Sequence, residues 1–201
     1  FSLFNNSIEG FRDNYIVNWT IMILIILGGL GFVVLKELRF ILAEKKPFKT
    51  LSLHSKIVLS SNAFLFLGGA VYIYFSEFLN SLSDLSFFSQ IHVSLFQSVV
   101  TRTAGFNSIA LTELQMSTVF VMMILMLIGA SPGSTGGGIK TTTFIALMAA
   151  TRSTLRGQKD VIISNRLISD KVILKAVGIT VGSLLFVLLM AMLLSTTNTF
   201  I

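Results

Sequence analysis

Two stretches hold the residue types that could do chemistry. Thr101-Arg102-Thr103-Ala104-Gly105 closes a short apolar run, and Ser131 to Lys140, SPGSTGGGIK, interrupts a much longer one. Both are built from small hydroxyl residues and glycine inside apolar surroundings. A cation leaving water needs its hydration shell replaced by other oxygens. Backbone carbonyls of an extended loop supply them, and glycine permits backbone angles that other side chains forbid. A short helix running into Thr101 would also aim its partially negative C-terminus at such a site. Taken alone, TRTAG is equally the signature of a plain turn with glycine at a helix C-cap.

The second stretch invites a different chemistry, phosphate binding. That pattern needs Gly, four residues and then Gly-Lys-Ser/Thr. Here Ile139 separates Gly138 from Lys140, and no strand precedes the glycines. No zinc-protease signature is present: His54 lies in a basic segment and His92 in the short apolar run, with no HExxH pair. With no cysteine there is no disulfide framework, thiolate chemistry or Cys-type zinc site.

The elements that must position these loops are membrane helices. The 201 residues are 53% hydrophobic and only 12% charged, far outside the soluble globular range. Ile16 to Leu35 has about the twenty apolar residues a spanning helix needs, with Trp19 placed as an interfacial anchor. Gly28, Gly29 and Gly31 near its far end read as small-residue packing against a neighbour. Ile57 to Phe75 is a second span and Val172 to Leu194 a last one. Phe87 to Val100 would make a helix of about 21 Å, short of a hydrocarbon core of about 30 Å. It is read as a re-entrant pore helix, with a surface amphipathic helix as the alternative. Met116 to Thr151, if continuous, would run about 54 Å, and the part before its interruption is too short to span. The break at 131–140 therefore falls within the hydrocarbon region. Irregular backbone at that depth is tolerated only where it is buried in protein or lines an aqueous cavity.

The net charge of +6 is distributed as membrane topology requires. Lys36, Arg39, Lys45, Lys46, Lys49 and Lys56 occupy one inter-span segment. Arg152, Arg156, Lys159, Arg166, Lys171 and Lys175 occupy another, with Lys140 just before it. Only Arg12 and Arg102 lie elsewhere. The positive-inside rule makes both segments cytoplasmic, which holds only if 87–105 dips in and returns outward. This placement argues against nucleic-acid binding. Phe1 is not an initiator Met, and the chain is expected to be a portion of a longer membrane protein.

SVVTRTAGFNS and GASPGSTGGGIKTTTF, in this order and spacing, resemble the third pore loop and the following intramembrane loop of the Trk/Ktr/HKT superfamily of potassium transporters, most closely the bacterial Ktr-type membrane subunit. FSLFNNSI is similar to the stretch just behind that family's second filter glycine. The resemblance implies an all-α membrane protein of membrane–pore–membrane repeats with a re-entrant pore helix and a broken transmembrane helix. Residues 1–35 would end the second repeat and 36–56 form a cytoplasmic loop. Residues 57–151 would be the third repeat, with a helix at 57–75, pore helix at 87–100, filter at 101–105 and broken helix at 116–151. A second cytoplasmic loop, 152–171, would precede the first helix of the fourth repeat, 172–201.

In this scheme the backbone of Thr101, Arg102, Thr103, Ala104 and Gly105 meets the ion. Ser131, Gly133, Ser134, Thr135, Gly136, Gly137, Gly138 and Lys140 belong to a gate. Glycine at the signature position favours potassium in related proteins, whereas serine there in one repeat goes with sodium. The expected function is potassium uptake across the cell membrane without enzyme activity and without a resident cofactor, potassium being the cargo. A homodimer and a cytoplasmic nucleotide-binding regulatory subunit are implied as partners, besides the lipid membrane. The Arg102 side chain is expected to turn from the path into polar or carboxylate partners. Lys140 would repel cations or pair with a carboxylate elsewhere. A sodium-coupled or sodium-translocating variant of the same family, a membrane-embedded nucleotide-using enzyme built on the Gly-rich loop, and a purely structural membrane subunit are the alternatives.

Overall fold

The structure, a computed structural model, describes residues 6–102, 104–158, 160–164 and 166–197. The filter stretch therefore has one member, Thr103, outside the described residues. The chain divides into two compact units, Phe1–Thr142 and Thr143–Ile201.

In the first unit, α1 (Tyr15–Leu30) begins where the Asn14 side chain accepts from the Val17 amide at 3.2 Å, satisfying one of the amides a helix start leaves free. Asn18 is fully buried, and its Nδ2 ties the preceding segment to the helix by donating to the carbonyls of Phe11 and Arg12 at 3.2 and 2.8 Å. The expected straight span from Ile16 to Leu35 is not what forms. The helix stops at Leu30 and resumes as α2 (Phe32–Ala43) after a bend of 104°. Gly31 makes the bend, at φ +83°, and a Cβ there would run into the carbonyl oxygen of Pro132. Only glycine tolerates both conditions. The segment read as loop from Lys36 stays helical to Ala43. Its basic residues report the side of the membrane, not the backbone state, and Lys, Glu, Leu and Arg are all good helix formers.

Helix α3 (Leu53–Glu77) starts at Ser52, whose hydroxyl accepts from the Ser55 amide at 3.2 Å. Glu37 of α2 reaches the same terminus. Its carboxylate accepts from the Ser52 amide at 2.7 Å and from the hydroxyls of Ser52 and Ser55. At the far end of α3, Glu77 receives the start of α5 (Met116–Leu127) through the Gln115 amide and the Thr118 hydroxyl. Between them lies α4 (Phe87–Val100), packed chiefly on α3 and α1. Its Val93, Phe96, Val99 and Val100 are buried, and so are Gln90, Ser94, Gln97 and Ser98. A short helix carrying that many buried polar side chains is the centre of the unit, not a surface element.

The second unit continues α6 (Thr141–Leu155) into Gly157, φ +66°. There the amides of Gly157 and Gln158 donate to the carbonyls of Thr154 and Ser153, closing the helix in a Schellman turn. Strands β1 (Val161–Ile163) and β2 (Arg166–Ile168) pair antiparallel, Val161 opposite Ile168. Among the described residues this hairpin is the exception to the all-α build. Helix α7 (Asp170–Thr197) follows. Helices α3 and α7 are long and apolar enough to cross a membrane, and the bent pair α1–α2 makes a third candidate span. The chain is a multi-pass membrane protein, and exposed side chains such as Phe64, Phe75, Leu184 and Phe186 suit a lipid environment.

Candidate functional site

The residues from α4 onward continue its spiral before leaving it. The amides of Thr101, Arg102 and Ala104 donate to the carbonyls of Gln97, Val99 and Val100, and the Thr101 hydroxyl donates to the Ser98 carbonyl at 2.6 Å. Thr101 and Arg102 are buried, and Gly105 takes φ +76°. The chain thus leaves a buried helix end, with Thr101 and Arg102 inside the unit, Ala104 half-buried and Gly105 exposed in a left-handed conformation.

Residues 128–140 form an irregular loop between α5 and α6, folded on itself and stitched to α1. Within the loop, Ala130 donates its amide to the Gly137 carbonyl at 3.2 Å and Ile139 its own to the Leu127 carbonyl at 3.0 Å. Gly129 and Gly138 lie so close that a Cβ on Gly138, φ +74°, would come within 2.9 Å of the Gly129 amide nitrogen. Toward α1, the Ser131 amide donates to the Gly29 carbonyl at 3.0 Å and the Thr135 amide to the Gly28 carbonyl at 3.2 Å. A helix end leaves its last carbonyls free, and the loop supplies their partners. In return the Phe32 amide, at the start of α2, donates to the Gly133 carbonyl at 3.1 Å. The glycines of α1, read from sequence as packing residues, are the seat of this loop.

Arg102 joins the two regions. It is 5% exposed, and its Nη2 donates to the Gly129 carbonyl at 2.6 Å and to Asn62 Oδ1 at 3.1 Å. The guanidinium carbon lies 5.3 Å from the centre of the Phe66 ring. These partners are polar and aromatic; no carboxylate is among them. Lys140 Nζ donates to the Gly136 carbonyl at 2.7 Å, inside its own loop. A cavity of about 130 Å³ is lined by Leu24, Ile25, Gly28 and Gly29 of α1, by Arg102 and Ala104, and by Ala130, Thr135 and Gly136. So the structure brings Arg102 and Ala104 together with Thr135 and Gly136 around one space. Ser131 is fully buried and is not part of that lining.

Sequence reasoning missed Asn62. Its signal was present, since an amide in the middle of an apolar span is costly unless bonded, and Asn62 is 4% exposed. His92 is a packing residue, its ring edge-on to Tyr15 at 4.7 Å and beside Trp19 at 6.0 Å.

Apolar spans, a short buried helix and an irregular loop packed on α1 beside a small cavity together define a polytopic membrane protein. The TrkH family, described as cation transport protein, matches residues 1–199, and the chain belongs to that family. It is 36% identical over 191 residues to the Ktr system potassium uptake protein B of Bacillus subtilis, covering 94% of this chain and 42% of that protein. It is 32% identical over 201 residues to the potassium/sodium uptake protein NtpJ of Enterococcus hirae, covering 99% and 44%. The crystal structure of the potassium transporter TrkH from Vibrio parahaemolyticus superposes with a TM-score of 0.73 at 19% identity, over 98% of this chain and 42% of that one, a likeness of fold. The chain thus spans less than half the length of these relatives, and they are named as transporters, not enzymes.

Proposed function

We propose that this chain is part of a potassium uptake protein in which 101–105 contributes to the ion-selective filter and 131–140 is a gate beneath it. One observation carries the reading: the cavity between α1 and the two loops, bounded by Arg102 and Ala104 on one side and by Thr135 and Gly136 on another. Irregular backbone lining a small cavity is what a dehydrating passage requires. The filter carbonyls would take over the ion's hydration shell, with the C-terminal dipole of α4 favouring a cation.

The loop is tied to α1 and α2 by the backbone hydrogen bonds at Gly28, Gly29 and Phe32 and by the Thr135 hydroxyl on the Gly28 carbonyl, each contributing about 0.5–1.5 kcal/mol net. Opening it also disturbs its bonds to Arg102 and Asn62, and a partner that moves the loop must offset the whole set. Two routes reach the loop: α6, directly after Lys140, and α2, through Phe32. Both would carry the action of a cytoplasmic nucleotide-binding subunit on a homodimer of the whole protein. The relatives named as Ktr system components support a multi-subunit assembly. No cofactor is assigned to the chain. The phosphate-loop alternative loses ground, because the amides of Ser131, Ser134, Thr135 and Ile139 already donate to protein carbonyls.

Gly105→Ser in the full-length protein should weaken potassium-over-sodium discrimination, since a side chain at φ +76° strains the loop that would face the ion. Uptake in a potassium-deficient host reads it, and unchanged potassium affinity with full sodium exclusion would overturn the filter assignment. Deleting Gly136 to Gly138 should raise flux and make it less dependent on the regulator. Lower flux with normal insertion, or unaltered regulation, would remove the gate. Sodium coupling remains the second reading, favoured by the relative named for potassium and sodium together.

A further inference from the structure

A buried polar chain links the two loops, and neither loop's own role requires it. Asn62 of α3 stands at its centre. Its Oδ1 accepts from Arg102 Nη2 at 3.1 Å, and its Nδ2 donates to Ser131 Oγ at 2.9 Å and to the Val58 carbonyl at 2.7 Å. The Thr141 hydroxyl donates to the same Ser131 oxygen at 3.2 Å. Arg102 reaches past Asn62 to the Gly129 carbonyl. Arg102, Asn62, Ser131 and Thr141 are all at most 5% exposed.

The direction of the chain is fixed by chemistry. A guanidinium only donates, so Asn62 must turn its oxygen to Arg102, which leaves the amide nitrogen for Ser131. Arg102 Nη2 and both polar atoms of the Asn62 amide are thereby partnered, while Arg102 Nε and Nη1 are buried without a hydrogen-bond partner. Moving Gly129 and Ser131 away would strand a guanidinium and an amide where water does not replace the lost bonds, and such groups are costly to leave unpaired. Shifting the backbone at Arg102 would disturb the loop in the same way.

We propose that Asn62 and Arg102 couple the two loops, so that displacement of 131–140 alters the shape of 101–105 and ion occupancy of 101–105 biases the loop. The proposal rests on the filter and gate reading above and adds the link between them. Arg102 acts here as a positioning residue, through the backbone of its own segment. Coupling of this kind is reciprocal.

The test uses the full-length protein in liposomes with no cytoplasmic partner added. Asn62→Ala leaves every residue of both loops in place. Coupling predicts that flux rises and potassium-over-sodium discrimination falls together, by about fivefold or more, the lower end of linked-site effects. A change in one property without the other, measured per inserted protein, would overturn it. If Asn62→Ala does not reach the membrane, Arg102→Gln, Ser131→Ala and their double replace it. Coupling predicts a double effect well short of the product of the singles; a simple product overturns it. The deletion of Gly136 to Gly138 separates the failures. If the deletion raises flux and Asn62→Ala moves only one property, the coupling fails and the gate stands. If the deletion lowers flux or leaves it unchanged with normal insertion, the gate reading fails first.

Discussion

Glu77 shows how one side chain can hold an entire corner of a membrane fold. It is fully buried, and its oxygens accept from the Gln115 amide at 2.9 Å, from the Thr118 hydroxyl, from Asn80 Nδ2 at 2.7 Å and from the Ser81 hydroxyl at 3.0 Å. The end of α3, the turn after it and the start of α5 all close on this carboxylate. The negative charge also faces the N-terminus of α5, where a helix dipole favours it. Glu77→Ala strips the partner from the buried Thr118 hydroxyl and from three part-buried donors at once and should lower stability by about 1–3 kcal/mol. Thermal unfolding of the full-length protein in detergent reads this as a lower midpoint, and an unshifted midpoint would show that the corner is held some other way.

Elements in this chain are joined through their ends. Glu37 clasps α2 to the start of α3, and its carboxyl is held below the usual carboxylate range, first by the Ser55 hydroxyl and then by the Ser52 amide. A lowered value in the folded state means that the clasp contributes fully above the ordinary carboxylate pKa and fades as pH falls through the lowered one. Glu37→Gln should therefore unfold at a lower temperature than the unaltered protein at pH 7, and the gap should close below about pH 4. A gap of the same size at both pH values would contradict this. The clasp and the bend at Gly31 were hidden in the sequence for one physical reason. Hydropathy decides which residues enter the bilayer, but the place where a helix turns is decided by a distant partner, here Pro132 and Gly133. The apolar tracts, the two basic segments and the interruption at 131–140 were legible because composition alone carries them. For Asn62 the need of a partner was legible but the partners were not, since they lie 40 and 69 residues along the chain.

At the scale of the molecule, the central claim is that potassium passes through the space between the two loops. The chain supplies only part of that wall, spanning 42% of the Bacillus subtilis relative, so the claim is tested on the full-length protein. Thr135 and Ala104 line the same cavity from different loops, and the chain itself has no cysteine to interfere. With any cysteines elsewhere in the full-length protein replaced, Thr135→Cys places one thiol at that wall. The most direct measurement is potassium flux through this variant in liposomes before and after treatment with a small cationic thiol reagent. The prediction is that modification blocks flux and that potassium, by occupying the path, slows the modification. Complete modification of Thr135→Cys with flux unchanged, at a rate indifferent to potassium, would contradict a path between these loops.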